Sequence, residues 1–366
     1  MKHNRRAVLK GAGIIALAST SSSNYSLAHT TTNFDKIPRI QLTNLPTACN
    51  KMSNMTKALG GPDLYIKRDD VMELAHGGNK TRKLEYSLAA ALNKGARAVV
   101  TQGGLQSNHV RQTISGAAKV GIEAHVILSN PVPEMKEKLM GSGNYLMDQL
   151  MGAHIYIAGS EGRSPMVKKV LSELTLEGKK PYNIPAGASN GIGSMGYVNA
   201  GRELIAQWDR MGISPSHILT ATGSCGTAAG LLMGLRYFGN SSTKVVSMSV
   251  SSPAPQLRKR IRGLLNDASN ILGVPKNFVK TEDIHVNDDF YGKAYGYPTE
   301  AGISALRMTA ETEGIILDPV YTSKAMSGLI DLIKNNQLEN AKDVVFLHTG
   351  GAPAIHPYAE YFKGIT

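Results

Sequence analysis

Residues 75–90 read AHGGNKTRKLEYSLAA and set Lys80 behind Gly77, Gly78 and Asn79, at the start of a helical pattern. Glycines let backbone come close to a flat ligand, and a lysine amine kept neutral by burial attacks an aldehyde to form a Schiff base. A lysine ahead of a helix is more often simply solvated, so this stretch alone leaves both uses open. A second stretch, TGSCGTAAG (222–230), has the physics of an anion cup. Thr222, Gly223, Ser224, Cys225, Gly226 and Thr227 are small enough for backbone N–H groups to reach an anion, and the helix that follows adds its dipole. It lacks a Gly-Lys-Ser/Thr ending and its glycines do not fall at GxGxxG, which disfavours both common nucleotide loops. A third stretch, GGLQSNHVRQT (103–113), puts Ser107, Asn108 and His109 at another helix start. Ser107 or Asn108 can serve there as a plain N-cap, while hydroxyl, amide and imidazole together suit a carboxylate.

These stretches must be held by a common frame. Apolar runs alternate with helical periodicity along most of the chain, which predicts an α/β fold with parallel sheets built from βαβ units. In the first block Leu84, Leu88 and Leu92 mark a helix, ARAVVTQGG a strand, Val110, Ile114 and Ala118 a helix, EAHVILS a strand, GNYLMDQLMGA a helix and HIYIAGS a strand. From there through NIPAGASNGIGSMGY the chain reads as loop-rich. In the second block HILTATGSCGTAAGLLMGLRYFG is strand, glycine turn and helix, followed by strands KVVSMSVSS and KDVVFLHTGG. Three strands thus end at glycines, Gly103-Gly104, Gly223 to Gly226 and Gly350-Gly351. Ligands collect outside the carboxyl ends of parallel strands, so these turns are expected to converge on one cleft.

With 366 residues, 42% apolar content and 38 glycines, the chain has room for one large or two coupled domains and a sizeable pocket. The first 28 residues differ from the rest: Arg5-Arg6 is followed by a short apolar run, a Ser/Thr stretch and a small-residue end at Ser26-Leu27-Ala28. This reads as an export leader of twin-arginine type, with a periplasmic mature chain, against the alternative of a cytosolic tail. The apolar run is too short for a permanent membrane span. Removing the leader's four Lys/Arg lowers the formal charge from +12 by four to +8. No basic run interleaved with aromatics points to nucleic acid, and LRKRIRG (257–263) fits one face of a helix. Two cysteines, Cys49 and Cys225, make no disulfide framework, though one bridge stays open.

A Schiff-base lysine combined with a phosphate cup points to pyridoxal phosphate. GGNKTRKLE, QSNHVRQT, IPAGASNGIGSMGYV, TGSCGTAAGL, YGYP, LDPVYTSKAMSGLI and HTGGAPAI resemble, in order and spacing, the D-cysteine desulfhydrase and 1-aminocyclopropane-1-carboxylate (ACC) deaminase family, over roughly residues 35 to 365. The resemblance implies a tryptophan-synthase-β-like architecture, fold type II. A larger cofactor-binding domain (29–80 and 190–366) would be closed upon by a smaller α/β domain (81–189), and the protein would be a homodimer. It further implies Lys80 as the Schiff-base lysine and Asn79 beside the cofactor's phenolic oxygen. Thr222 to Thr227 would hold the phosphate, Ser107, Asn108 and His109 would face the substrate, and Tyr295 and Tyr321 would be active-site tyrosines. No metal is expected at this site.

Two positions separate branches of the family. Thr322 stands where ACC deaminases carry an acid facing the pyridine nitrogen, so it would meet the cofactor with a hydroxyl and leave a weaker electron sink. His109 stands where they carry glutamine. Both departures favour β-elimination from D-cysteine, giving pyruvate, sulfide and ammonia, with Lys80 as the base for the α-proton and Ser107, Tyr295 or Tyr321 tuning proton transfer or holding the carboxylate. A thiol, with an ordinary pKa of about 8.5, departs with little acid assistance. L-Cysteate sulfolysis, ACC deamination and, in another class, an exported amino-acid-binding protein without catalysis remain the alternatives.

Overall fold

The computed structural model describes residues 32–363; the leader expected over residues 1–28 lies outside them. The chain divides into a short unit over residues 1–36, whose described part is a 3-10 turn at Asn33–Lys36, and a large unit over 37–366.

In the large unit the elements run β1 (Cys49–Lys51), α1 (Ser53–Leu59), β2 (Asp63–Arg68), α2 (Lys80–Asn93), β3 (Ala98–Gly104), α3 (Asn108–Lys119), β4 (Glu123–Ser129), α4 (Lys136–Gly141), α5 (Gly143–Leu150), β5 (His154–Ile157), α6 (Arg163–Leu176) and β6 (Tyr182–Asn183). They continue with α7 (Gly191–Met211), β7 (His217–Thr222), α8 (Gly226–Tyr237), β8 (Lys244–Ser249), α9 (Ala254–Leu272), β9 (His285–Asn287), α10 (Glu300–Glu313), α11 (Thr322–Lys334) and β10 (Asp343–His348). A six-stranded sheet has the order β1-β2-β10-β7-β8-β9, parallel except for β1. A four-stranded sheet, β5-β4-β3-β6, is parallel throughout and takes all its strands from Ala98 to Asn183.

Continuous apolar runs become strands buried on both faces, as parallel sheets require: Val344, Val345 and Phe346 of β10 and Val99 and Val100 of β3 have no exposed surface. The apolar repeat of α2 buries Leu84 and Leu88 beside Ile114 of α3 and Val126 of β4. LRKRIRG lies inside α9, with Leu257 and Ile261 buried.

One expectation is corrected. The stretch after β5 is not loop-rich, because it holds α6 and the first turns of α7, the 21-residue helix that starts at Gly191. Its glycines are contact points where helices meet. A Cβ on Gly196 would stand 2.2 Å from the Arg82 carbonyl oxygen, and one on Gly234 of α8 would stand 2.4 Å from the Val198 carbonyl oxygen. Glycine density there measures how closely α7 packs on α2 and α8.

Candidate active site

Lys80 is the first residue of α2, and the loop before it is bound on three sides. Gly77 and Gly78 have φ of 73° and 122°, and a Cβ on Gly77 would stand 1.8 Å from the Asp70 carbonyl oxygen, so only glycine fits there. Gly78 N–H donates to the Asp69 carbonyl and Asn79 N–H to the Thr349 carbonyl, each at 3.0 Å. The Asn79 amide donates to Thr227 Oγ1 at 2.8 Å. Two residues beyond Lys80, the Arg82 guanidinium, fully buried, donates to Asp69 Oδ2 at 2.9 Å and Glu203 Oε2 at 2.8 Å. Burial opposes charge on Asp69, but Arg82 above all, with Lys67 and the Tyr197 hydroxyl, holds its carboxyl below the ordinary range. This network fixes the helix start, and with it Lys80, whose amine burial lowers to about 8.

Lys80 faces a cavity of about 390 Å³ between the two sheets, reached by Gly103 and Gly104 from β3, Thr222 and Gly223 from β7 and Thr349 from the end of β10. The expected convergence of the glycine turns is therefore present. One end is the cup before α8. Cys225 takes a left-handed conformation (φ 70°) as the residue preceding this helix. Its thiol, which burial raises to about 11, contacts the Gly223 and Leu257 carbonyls. Cys225 therefore contributes backbone to the cup and stays protonated. Cys49 and Cys225 are both free thiols.

The other end carries Ser107, Asn108, His109, Tyr295 and Tyr321. Ser107 is the N-cap of α3, its Oγ accepting from Val110 N–H at 3.3 Å, so the cap and the cavity wall are one residue. Asn108 Oδ1 accepts from Arg111 Nη1 at 3.1 Å and from Asn144 Nδ2 at 2.9 Å, and Arg111 Nη2 also donates to the Gly77 carbonyl at 2.6 Å. One buried arginine thus joins the substrate-side loop to the lysine loop. Thr101 Oγ1 spends its proton on the Ile184 carbonyl at 2.7 Å, so His109 Nε2 must be the donor in their 2.7 Å contact. Burial, together with Lys80 and Lys83, pushes His109 well below its ordinary value and keeps it neutral. The Tyr295 and Tyr321 hydroxyls touch, with rings edge to face at 5.7 Å. Burial raises both phenols, so both hold their protons at neutral pH.

Of the residues selected from sequence, two do not line the cavity. Gly226 contributes its N–H, donated to Ser189 Oγ at 3.2 Å. Thr322, expected to meet the cofactor with its hydroxyl, stands behind Tyr321 at the start of α11. Its Oγ1 donates to Asp318 Oδ1 at 2.7 Å and accepts from Asp318 N–H at 2.8 Å. The physical reason is that the Asp318 carboxylate caps α11, taking the N–H groups of Val320, Tyr321 and Thr322.

Sequence reasoning missed three residues. Lys83, one turn beyond Lys80, is buried and donates to the Gly187 carbonyl at 2.5 Å and Ser189 Oγ at 2.8 Å; the i, i+3 spacing on α2 was the available signal. Ser189 donates to Ser224 Oγ at 2.7 Å. Arg163, the first residue of α6, lines the cavity and has no hydrogen bond or ion pair among the described residues. It follows a parallel strand, where ligand contacts are expected. No aspartate or glutamate lines this cavity among the described residues.

The residues fit a phosphorylated aldehyde. Lys83, Ser189, Ser224 and Thr227 meet the start of α8 at one end, and the cradle depends on bare backbone: a Cβ on Gly226 would stand 2.5 Å from Lys83 Nζ, and one on Gly187 2.2 Å from Ser224 Oγ. Lys80 would supply the amine.

Comparison with known proteins agrees. The chain is 37% identical to a D-cysteine desulfhydrase of Salmonella typhi over 324 residues, 88% of this chain and 97% of that one. A crystal structure titled as an ACC deaminase homologue superposes with a TM-score of 0.82 at 35% identity, covering 91% of this chain and 98% of the other. A fungal L-serine ammonia-lyase from Rhizomucor miehei shares the fold, with a TM-score of 0.61 at 18% identity over 87% of this chain and 99% of that one. The architecture is that of the fold type II pyridoxal-phosphate enzymes. A family model described as "Pyridoxal-phosphate dependent enzyme" matches residues 40–350, and the chain belongs to that family.

Proposed function

We propose that this enzyme eliminates the β-substituent of D-cysteine, yielding hydrogen sulfide, pyruvate and ammonia. The observation that carries the reading is Lys80, a lysine with its amine lowered to about 8, facing a cavity lined among the described residues by no carboxylate, between a phosphate cup and a tyrosine pair. The curated relative named above carries the same activity in its name.

Lys83, Ser189, Ser224 and Thr227, gathered at the start of α8, would hold the phosphate, with Asn79 tied alongside through Thr227. Pyridoxal phosphate supplies an electron sink for charge developing at the substrate's Cα. Lys80 takes the proton from Cα as its amine is released. Ser107 and Asn108 hold the carboxylate, Asn108 being oriented by Arg111. Neutral His109, committed to Thr101, shapes that wall without adding charge. The Tyr295 and Tyr321 hydroxyls keep a proton beside the departing group, and the C–S bond breaks with its electron pair leaving on sulfur. Water then hydrolyses the released enamine to pyruvate and ammonia. With Thr322 occupied by Asp318, no acid reinforces the sink, which suits a leaving group that departs readily.

One observation favours a second reading. Unpaired Arg163 fits a substituent that already carries negative charge before it departs, such as the sulfonate of L-cysteate, whose product is sulfite. Sulfide release from D-cysteine and L-cysteine by the cofactor-loaded protein decides the first reading. Faster release from D-cysteine supports it. Silence with both, alongside sulfite from L-cysteate, replaces it with the second.

The same proposal covers the setting. The 81–189 segment would close over the cleft and two chains would assemble as a homodimer, which sedimentation tests. Arg5-Arg6 supports export to the periplasm, and lysine at both positions should retain the chain in the cytoplasm. Among the described residues no helix is long and apolar enough to cross a membrane.

A further inference from the structure

At the end of the small sheet opposite the glycine turns lies a second cluster of chemistry-bearing residues. Glu123 and His125 are i and i+2 on β4, so their side chains leave the same face. His154 is the register partner of His125 on β5 and joins them there. One donor atom from each of the three lies within 4.8 Å of the other two. His125 is 4% exposed and its ring stacks on His154 with centroids 4.3 Å apart and planes 10° from parallel.

We infer that Glu123, His125 and His154 form a site for a borderline divalent transition metal, for which Zn²⁺ is the best match. Two imidazoles and one carboxylate, with water as fourth ligand, are an ordinary tetrahedral zinc set. His125 Nε2 lies 3.0 Å from Glu123 Oε2. Its Nδ1 lies 3.2 Å from the Tyr156 hydroxyl, so Nδ1–H can donate to Tyr156 and leave Nε2 as the ligand atom, the outer contact that orients metal-bound histidines. Donors around tetrahedral zinc stand about 3.3 Å apart, so up to about 1.5 Å of approach, with the exposed His154 ring turning out of its stack on His125, closes the set. A cation already sits beside the carboxylate: Lys179 Nζ is 2.9 Å from Glu123 Oε2. It also has Glu177 at 3.1 Å, so an incoming dication displaces it onto an existing partner. β5 is a four-residue edge strand whose only sheet neighbour among the described residues is β4. A metal bridging His125 and His154 would clamp that edge.

The test uses the full-length, cofactor-loaded protein stripped with a chelator and dialysed against micromolar Zn²⁺. Wild type should take up about one zinc per chain and melt at a higher temperature with zinc than without it, while Mg²⁺ does neither. His125 is buried and its replacement disturbs packing, so the decisive variants are His154→Ala and Glu123→Gln. Each should weaken zinc binding at least about tenfold and abolish the zinc-dependent melting shift, while Cys49→Ser leaves both intact. Absence of zinc uptake by wild type, or uptake by His154→Ala as tight as wild type, overturns the assignment.

Discussion

The Asn79 side-chain amide donates to Thr227 Oγ1 across 2.8 Å, binding the residue before Lys80 to the first turn of α8. The Lys80 loop and the start of α8 are thereby held in register, although 148 positions separate Asn79 from Thr227 in sequence. Replacing Thr227 by valine keeps the shape and leaves the buried amide unpaired, at a cost of about 1–3 kcal/mol. Cofactor affinity should fall about tenfold or more, read by titrating the absorbance of the bound group.

The Lys80 amine links pH to both loading and stability. Its folded value, about 8, lies below the ordinary 10.5, so between these values the unfolded chain binds more protons. Stability of the cofactor-free protein should therefore rise with pH across that window. At neutral pH, Lys80→Met should stabilise the cofactor-free form by about 2–3 kcal/mol, measured by denaturant titration, while abolishing sulfide release. Cofactor incorporation into wild type should accelerate up to about pH 8 and then level. A pH-independent loading rate would contradict the neutral-amine reading.

Arg82 is the support most sensitive to truncation. Its guanidinium and the Asp69 carboxylate are both fully buried, and removing one partner leaves the other charge uncompensated. Arg82→Met should cost about 3–5 kcal/mol in chemical denaturation. Asp69→Asn combined with it should recover part of that loss, because the orphaned charge is then gone.

Arg163 should sort substrates by charge. Arg163→Gln should lower kcat/KM for L-cysteate more than for β-chloro-D-alanine, by about tenfold, the size of one lost charge-assisted hydrogen bond, with the spectrum of the bound cofactor unchanged. Equal losses on both substrates would remove Arg163 from substrate selection.

Much of this site was legible because its parts are local. Lys80 behind two glycines, the small residues of 222–227 and Ser107 at a helix start each carry their chemistry within a few positions, and parallel-sheet physics brings strand-ending glycines to one cleft. Lys83 was equally local but went unread, since buried lysines are rare and its role depends on Gly187 and Ser189 from a distant segment. The glycines of α7 were misread for a related reason. A glycine in a turn and a glycine under another helix's backbone look alike until the partner is present; Gly196 takes its meaning from the Arg82 carbonyl.

By itself, then, the sequence carried the α/β architecture in its periodicity and the cofactor class in motifs that resemble a known family, and it marked Lys80 and the small residues of 222–227 as candidates for the reactive amine and the anion cup. Only the tertiary structure decided that Thr322 turns to Asp318, that Arg82 pins the start of α2, that His109 is a neutral donor and that an unpaired Arg163 enters the cavity. These are outcomes of competition for buried hydrogen bonds among segments far apart in the chain, and which partner wins is set by packing.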